Sequence, residues 1–462
     1  MPHSPSSRRS FIRKAASLGL TGIALKSQAH RLSWHAPDTA KRFEANDHIQ
    51  VAAIGLGIMG FNNLEHTSRI PGVRIVAGCD LYAGRLERFR ERYGKEPFTT
   101  RNFLEVLARP DIDAVIISTS DHWHDHMAIA ALKAGKHVYV EKPMVHKPEE
   151  GHAVIEAQRR SGKVLQVGSQ RVTNVVTQKA KELFRQNLIG PLVMVETWND
   201  RQGANGAWQY SIPTDAQAGT VDWEAFLGDA PKRGYDPIRF FRWRNYQDYG
   251  TGVAGDLFVH LFSALHTVIG SNGPERAFST GGLRLWKDGR DAPDLIAGLY
   301  DYPATAQHPA FNLQMRVNFA DGNGGSEMVR LVGTEGVMEL GWDQVTVRMN
   351  PVSKSPGYGG WDSFDTFASG QQKEFEKWYR SQYPEEQAPS PRTITWSAPE
   401  GYSANVDHHQ KWYDGIRNGT AIEEDAWFGL RAAGPALLAN MSLFEKRIIH
   451  WDPTAGKIIN RK

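Results

Sequence analysis

The sequence predicts an α/β domain built on a parallel sheet, followed by an α+β domain with a large, mostly antiparallel sheet. Three observations predict it. From Ile49 to about residue 170, short apolar runs of strand character alternate with helical stretches, the pattern of a parallel sheet covered on both faces. Beyond Gln170 and Arg171 that alternation stops. Strand-like segments then recur at FNLQMRVNFA, SEMVRLVGT, GVMELGW and VTVRMN, as in an antiparallel sheet with helices on one side. Finally, 462 residues exceed what one ordinary core supports.

The elements follow in order. Ser7-Arg8-Arg9-Ser10-Phe11-Ile12-Arg13 leads into the mildly apolar AASLGLTGIAL, and Ser27-Gln28-Ala29 offers a small-x-small cleavage site. This is close to the twin-arginine export pattern, so residues 1–29 are expected to be a signal peptide and the mature protein periplasmic or otherwise exported. The apolar run is too short, and too rich in Gly, Ser and Thr, to span a bilayer, so no membrane association is expected after export. Removing 1–29 deletes Arg8, Arg9, Arg13, Lys14 and Lys26 and no acid, which takes the formal charge from +3 to −2. The basic excess therefore belongs to the leader and is no footprint of nucleic acid. Residues 30–46 show no periodicity and are expected to be a linker or arm. The one cysteine, Cys79, excludes an intrachain disulfide and reads as inert core.

A domain is expected over 47–170. Its first strand, Ile49 to Ile54, ends in Gly55-Leu56-Gly57-Ile58-Met59-Gly60, and a helical stretch runs to Ile70. A second strand, Val73 to Cys79, ends at Asp80, 20 residues beyond the last glycine. A G-x-G-x-x-G alone is a weak signal. Between a strand and a helix, with an acid at that distance, it is a dinucleotide fingerprint and predicts a Rossmann domain. Gly55 permits the tight turn, Gly57 the approach of a diphosphate, and Gly60 close packing of helix on strand. The helix start, with Ile58 and Met59, supplies N–H donors and a positive dipole end. Asp80 is expected to accept from the adenosine ribose hydroxyls and to repel a 2′-phosphate, which favours NAD over NADP.

After the strand DAVIIST comes the stretch STSDHWHDH, residues 118–126, with three histidines and two aspartates in six positions. A metal site would need ligands on compatible faces and usually another from elsewhere. Trp123 is no ligand, and the stretch lies at the carboxyl edge of the sheet, where open α/β sheets bind ligands. Ser118, Thr119, His122, Trp123 and His124 are therefore assigned to the cofactor, with the indole beside a nicotinamide ring, and no metal is expected. Helix HMAIAALKAG, strand HVYV, a helix from Pro148 to about Ser161 and strand VLQVG complete the domain.

These residues, and above all Ala134-Gly135-Lys136-His137-Val138-Tyr139-Val140-Glu141-Lys142-Pro143, resemble the glucose–fructose oxidoreductase / inositol dehydrogenase / MocA (Gfo/Idh/MocA) family. The resemblance covers about 47 to 455. Ser120 and His126 depart from it, since relatives often carry Pro at both places. It implies that Lys142 reaches the substrate hydroxyl beside the nicotinamide, that Glu141 and Gln170 contact the cofactor, and that Pro143 sits in an unusual turn. It also implies that the exposed face of the second sheet makes a homo-oligomer, a dimer or tetramer.

In the second domain, expected over 171–462, VVTQKAKELFRQN reads as a helix, PLVMVETWN as a strand, 351–395 as a long loop or arm, and WFGLRAAGPALLANMSLFEKR as a helix. The chemistry is expected in GTGVAGDLFVHLFSALHTVIG. A helix from Asp256 to Ile269 is mostly apolar, and Asp256, His260, Ser263 and Thr267 recur along it at i, i+4, i+7 and i+11 as one narrow polar seam. A buried Asp and His must either pair or face a wet cleft. The resemblance favours the cleft, although relatives often read D-x-G-x-H-x-x-D where this chain has Phe258 and Ser263. His260 is then the base that takes the hydroxyl proton of a sugar carbinol. Lys142 stabilises the developing alkoxide, and Asp256 orients the imidazole or binds a neighbouring hydroxyl. Arg239, Arg242, Trp243, Arg244 and Tyr246 form an aromatic-basic cluster just upstream. Arg171, Arg242, Trp243, Tyr246 and His409 are assigned to the substrate, with His408 and His409 bounding the same cleft. The expected activity is hydride transfer between a sugar or polyol carbinol and a tightly held NAD. The alternative is NAD-dependent glycoside hydrolysis through transient oxidation, elimination and hydride return.

Overall fold

The computed structural model describes residues 48–353, 355–383 and 390–459. The twin-arginine stretch and the 30–46 linker lie outside the described residues.

The first sheet is built from β1 (Ile49–Ile54), β2 (Val73–Cys79), β3 (Phe98–Thr100), β4 (Ala114–Ile117), β5 (His137–Val140) and β6 (Leu165–Val167). Its order is β3-β2-β1-β4-β5-β6, with every pairing parallel. That is the doubly wound arrangement whose chain direction reverses beside β1, where such sheets bind ligands. The central strands β1, β4, β5 and β6 are mostly apolar and buried, as a sandwiched parallel sheet requires, while β2 and β3 towards the edge are partly exposed.

The second sheet has ten strands in the order β14-β13-β12-β11-β7-β10-β9-β8-β15-β16. They are β7 (Leu192–Asp200), β8 (Arg276–Gly282), β9 (Leu295–Tyr302), β10 (Phe311–Asn318), β11 (Ser326–Gly333), β12 (Gly336–Leu340), β13 (Gln344–Met349), β14 (Arg392–Ser397), β15 (Ile449–Asp452) and β16 (Lys457–Ile459). All pairings are antiparallel except β7 with β10. Alternation is clean along β10, whose Phe311, Leu313, Met315 and Val317 are buried while the residues between them are not. The buried face packs under the helices Val175–Arg185, Val259–Ile269 and Ala426–Glu445. Among the described residues, no helix is long and apolar enough to cross a membrane.

The line between the two sheets in sequence is crossed twice in space. The helix Ala404–Asn418 returns to the first sheet, and its Val406, Trp412 and Tyr413 share a core with Ile49, Val51, Ile116 and Tyr139. Residues 201–250 form an irregular strap that reaches back over the carboxyl edge. It is joined there by an antiparallel bridge between Tyr82 and Val221 and by hydrogen bonds from Ala83 N to Thr220 O (3.0 Å) and Asp222 N to Leu81 O (2.9 Å). The strap has its own aromatic core, including Trp223, Phe226, Phe240, Phe241, Tyr246 and Tyr249 around Tyr82.

Candidate active site

β1 runs into Gly55 at φ +89°, where a Cβ would stand 2.6 Å from the Ser118 carbonyl oxygen. Only glycine tolerates both the conformation and the approach. A Cβ on Gly60 would lie 1.9 Å from the Gly55 carbonyl oxygen, so the helix Ile58–Ser68 can close on the turn only without one. At Gly57 the space is open, the nearest atom being an Arg85 guanidinium nitrogen at 4.0 Å. The helix starts with no side-chain cap, which leaves its first N–H groups to a ligand. A cavity of about 430 Å³ begins here, lined by Gly55, Gly57, Ile58, Met59, Asp80, Ser118, Thr119 and Trp123. Asp80 accepts from Leu56 N (2.7 Å) and Tyr82 N (2.9 Å), with Arg85 at 3.5 Å. A carboxylate has about four acceptor sites, so capacity remains for ribose hydroxyls. An open glycine, an uncapped helix start and a carboxylate at the end of β2 fit a dinucleotide.

The 118–126 stretch folds as a tight turn over Asp121–Trp123, followed at once by the helix His124–Lys133. Its histidines are taken up by the chain. His122 places Nε2 2.9 Å from Phe226 O and Nδ1 3.3 Å from Tyr249 O, and burial lowers its pKa to about 4. His124 places Nδ1 2.7 Å from Pro143 O and Nε2 3.3 Å from Thr119 O. Asp121 accepts from Thr251 N and Oγ1 (2.9 and 2.7 Å). The cofactor role expected of His122 and His124 is thus corrected: neither lines the cavity, His122 ties the turn to the strap, and His124 ties it to Thr119 and Pro143 within the first domain. Trp123 lines the cavity and donates its indole N–H to Phe226 O at 2.9 Å.

The Lys142–Pro143 peptide is cis. Lys142 Nζ lies 2.8 Å from Asp256 Oδ1 and 3.1 Å from Asp256 O, with both side chains buried. Arg244 Nε reaches the same Oδ1 at 3.2 Å. Burial opposes the Asp256 charge, but Lys142 and Arg244 overcome it and hold the carboxyl well below the usual carboxylate range. Asp256 therefore grips two cations and does not orient the imidazole as expected. The local backbone is also unexpected. Ala254–Phe258 is a π-helical turn, and the regular helix runs from Val259 to Ile269. Such turns recur at functional sites because they re-aim side chains within a helix.

The seam stops short of its predicted length. Ser263 Oγ donates to Val259 O (2.7 Å) and pairs with the Ser169 hydroxyl (3.1 Å), and Thr267 Oγ1 donates to Ser263 O (2.8 Å). Both are fully engaged. His260 is half-buried, and its Nδ1 is buried without a hydrogen-bond partner among the described residues. Burial, reinforced by the Lys142 charge, puts its pKa well below the ordinary histidine value. It stands as a neutral imidazole able to take a proton.

Glu141 is buried, and burial raises its pKa; its Oε1 accepts from Asn63 Nδ2 at 2.9 Å. Gln170 is buried and donates to Tyr139 Oη at 3.3 Å. The residues assigned to the substrate divide. Trp243 lines the cavity beneath Arg244, whose guanidinium is 4.2 Å from its ring centroid. Arg242 Nε donates to Tyr210 O at 2.8 Å. Tyr246 is buried under Arg239. Arg171 is buried in the second domain, bonded to Gly341 O (2.8 Å) and Glu327 and lying over Trp342. His409 is corrected outright. It is buried, stacked on Tyr139 at 4.5 Å, with Nε2 3.2 Å from Asn63 Oδ1. His408 lies between Thr173 Oγ1 (2.8 Å) and Val167 O (2.9 Å). Neither bounds the cleft, because their helix turns inward against the first sheet.

The sequence reading missed most of the cavity's second wall, formed by Tyr210, Phe226, Phe240 and Phe241 from the strap beside Trp243 and Arg244 of the aromatic-basic cluster. The available signal was the density of aromatics between Trp208 and Tyr249, with no regular strand or helix period to explain it. Among the described residues, no group of three or more His, Cys, Asp or Glu side chains is arranged to hold a metal ion.

Comparison with known proteins agrees with this geometry. Residues 49–169 match the GFO_IDH_MocA model, described as an oxidoreductase family with an NAD-binding Rossmann fold. Inositol 2-dehydrogenase of Salmonella typhimurium is 30% identical over 149 residues, 32% of this chain and 44% of that protein. A glycosyl hydrolase family 109 protein of Shewanella baltica is 34% identical over 175 residues, 34% of this chain and 38% of that protein. The chain thus spans less than half the length of these curated relatives. Over the whole fold, levoglucosan dehydrogenase in complex with NADH and levoglucosan aligns at TM-score 0.61 and 17% identity, covering 87% of this chain and 99% of that one. The aldose-aldose oxidoreductase of Caulobacter crescentus aligns at 0.60 and 17%, with the same coverage. Glycine turn, sheet order and family match converge: residues 49–169 form a parallel six-stranded Rossmann sheet and match the NAD-binding domain of the Gfo/Idh/MocA oxidoreductase family.

Proposed function

We propose that this protein is an exported, NAD-dependent carbohydrate oxidoreductase acting on a sugar or polyol carbinol. One observation carries the reading: Lys142, Asp256 and an unpartnered, neutral His260 converge beside Arg244, which itself lines the cavity that starts at the glycine turn. NAD, when bound, accepts or returns the carbinol hydride. His260 takes the hydroxyl proton. Its lowered pKa makes it a weak base alone, so the Lys142 ammonium must stabilise the developing alkoxide. Asp256 fixes that ammonium in place. Trp123 and the strap exclude water from the transfer.

A second reading is favoured by the hydrolase name of the Shewanella relative. There the same oxidation acidifies the neighbouring C–H, the aglycone leaves by elimination, and the hydride returns. A ketosugar product supports the first reading and released free sugar without net redox change the second.

Export is supported by Arg8-Arg9 and the run that follows. It implies a cofactor carried and regenerated in place, since free NAD is scarce outside the cytoplasm. The strap closing over the cavity supports that retention. A homo-oligomer is supported by Phe278 and Leu299, direct partners across β8 and β9 and 44% and 58% exposed. The test is to purify the mature protein without added NAD, desalt it, and assay it with no cofactor. Near-stoichiometric NAD(H) after denaturation, together with multiple turnovers, is expected. An empty protein that works only with millimolar added NAD would overturn the retained-cofactor reading.

A further inference from the structure

Four of the five residues after Asp80 grip the strap. Leu81 O accepts from Asp222 N (2.9 Å), and Ala83 N donates to Thr220 O (3.0 Å). Tyr82 bridges to Val221 and donates its hydroxyl to Asp215 at 2.5 Å. Arg85, in the first turn of the helix Ala83–Tyr93, reaches further along the strap. Its guanidinium carbon lies 5.8 Å from the Phe240 ring centroid and 5.3 Å from that of Phe241. Arg85, Phe240 and Phe241 all line the cavity that begins at the glycine turn.

The other charged residues of that wall are already engaged. Arg101 donates to Thr220 O (3.0 Å), Asp222 accepts from Ala225 N at the start of the short helix Trp223–Leu227 (3.1 Å), and Arg244 is held by Asp256 (3.2 Å). Arg85 is not. A guanidinium has five N–H donors, and among the described residues this one makes a single long bond, 3.5 Å to Asp80 Oδ2, an oxygen that already accepts from Leu56 N at 2.7 Å. Its Nη2 stands 4.0 Å from where a Cβ on Gly57 would lie. A largely unspent fork of donors thus borders the glycine that lets a diphosphate approach, and such a fork matches phosphate oxygens. The same side chain touches the strap through two aromatic rings, whose faces attract a cation.

We infer that Arg85 latches the dinucleotide to the strap: its N–H fork pairs with the cofactor's diphosphate while Phe240 and Phe241 hold the guanidinium from the other wall. This deepens the retained-cofactor reading above, and its test needs no turnover. Protein loaded with NADH is chased with excess NAD, and the loss of NADH fluorescence gives the dissociation rate. Arg85→Ala should release NADH about 10-fold faster or more, the loss of a charge-assisted pair, and Arg85→Lys, which keeps the charge, should recover part of the delay. Phe241→Leu should also speed release. Because ring and guanidinium act as one unit, Arg85→Ala with Phe241→Leu should be no faster than the larger single effect. ADP-ribose, which has the diphosphate and no nicotinamide, should lose affinity for Arg85→Ala by the same factor as NADH. Loading is confirmed before each chase, and Arg85→Lys takes the place of Arg85→Ala in the cycle if the latter loads poorly. An unchanged release rate in Arg85→Ala overturns the inference, and so does a double variant whose acceleration is the product of the two singles, or an ADP-ribose affinity left intact. A native protein that itself gives up NADH at once would count against retention, while the ratios between variants would still decide the role of Arg85.

Discussion

Two histidine-bearing regions invite comparison: the turn with His122 and His124, and the helix with His260. The turn is the denser in imidazole and the more conspicuous in sequence. Yet each of its ring nitrogens faces a backbone carbonyl within 3.3 Å. His260 has a buried nitrogen with no partner, in the charge field of Lys142. The proposed chemistry is therefore placed at the unsatisfied group beside Lys142 and not at the crowded one.

The strongest way to break the comparison is to remove the acting groups. His260→Ala and Lys142→Ala are each expected to lower turnover by about 100-fold or more while NAD stays bound. Near-normal rates in both, with bound NAD confirmed, would return the site to an ordinary buried pair. Next is Asp256→Asn, which leaves Lys142 and Arg244 buried without their shared anion. A loss of about 10-fold or more in kcat is expected, with a lower melting temperature, because uncompensated buried charge is costly.

The pH profile sharpens the same contrast. Catalysis needs neutral His260, whose pKa lies below 6.5, so kcat/KM should stay level from neutral pH down past 6.5 before it falls. His122 has a folded pKa of about 4 against 6.5 when unfolded. Its contribution to stability is whole above 6.5 and is lost as pH falls towards 4. Melting temperature should therefore begin to drop at a higher pH than activity requires for His260 alone, and His122→Gln should flatten that drop. The smallest effect is expected at the metal. His122→Ala should leave the elemental content unchanged, and a zinc per chain lost in that variant would make the turn a metal site after all.

What could be read in sequence was what local spacing encodes. Gly55, Gly57, Gly60 and Asp80 sit at fixed distances along one strand–helix–strand unit, and their physical reasons survive in the structure. The Asp256–His260 spacing was legible because a polar residue on an apolar run needs a reason, whereas Lys142 was marked by the family resemblance of Glu141-Lys142-Pro143. What was hidden depends on contacts distant in sequence. His409 looked like a cleft residue, but its helix is drawn behind the first sheet by Trp412 and Tyr413. The π turn at Ala254–Phe258 could not be told from a regular helix, because both show the same apolar run.

The bridge between Tyr82 and Val221 has a consequence for the order of assembly. Tyr82 directly follows the strand end that carries Asp80, and Val221 belongs to a segment made more than a hundred residues later. The wall over the dinucleotide groove can therefore be set only after much of the second sheet's first strand region has been synthesised. A nucleotide already resting on the glycine turn would be roofed over as the chain finishes, and its binding energy would be folded into the closure of the strap.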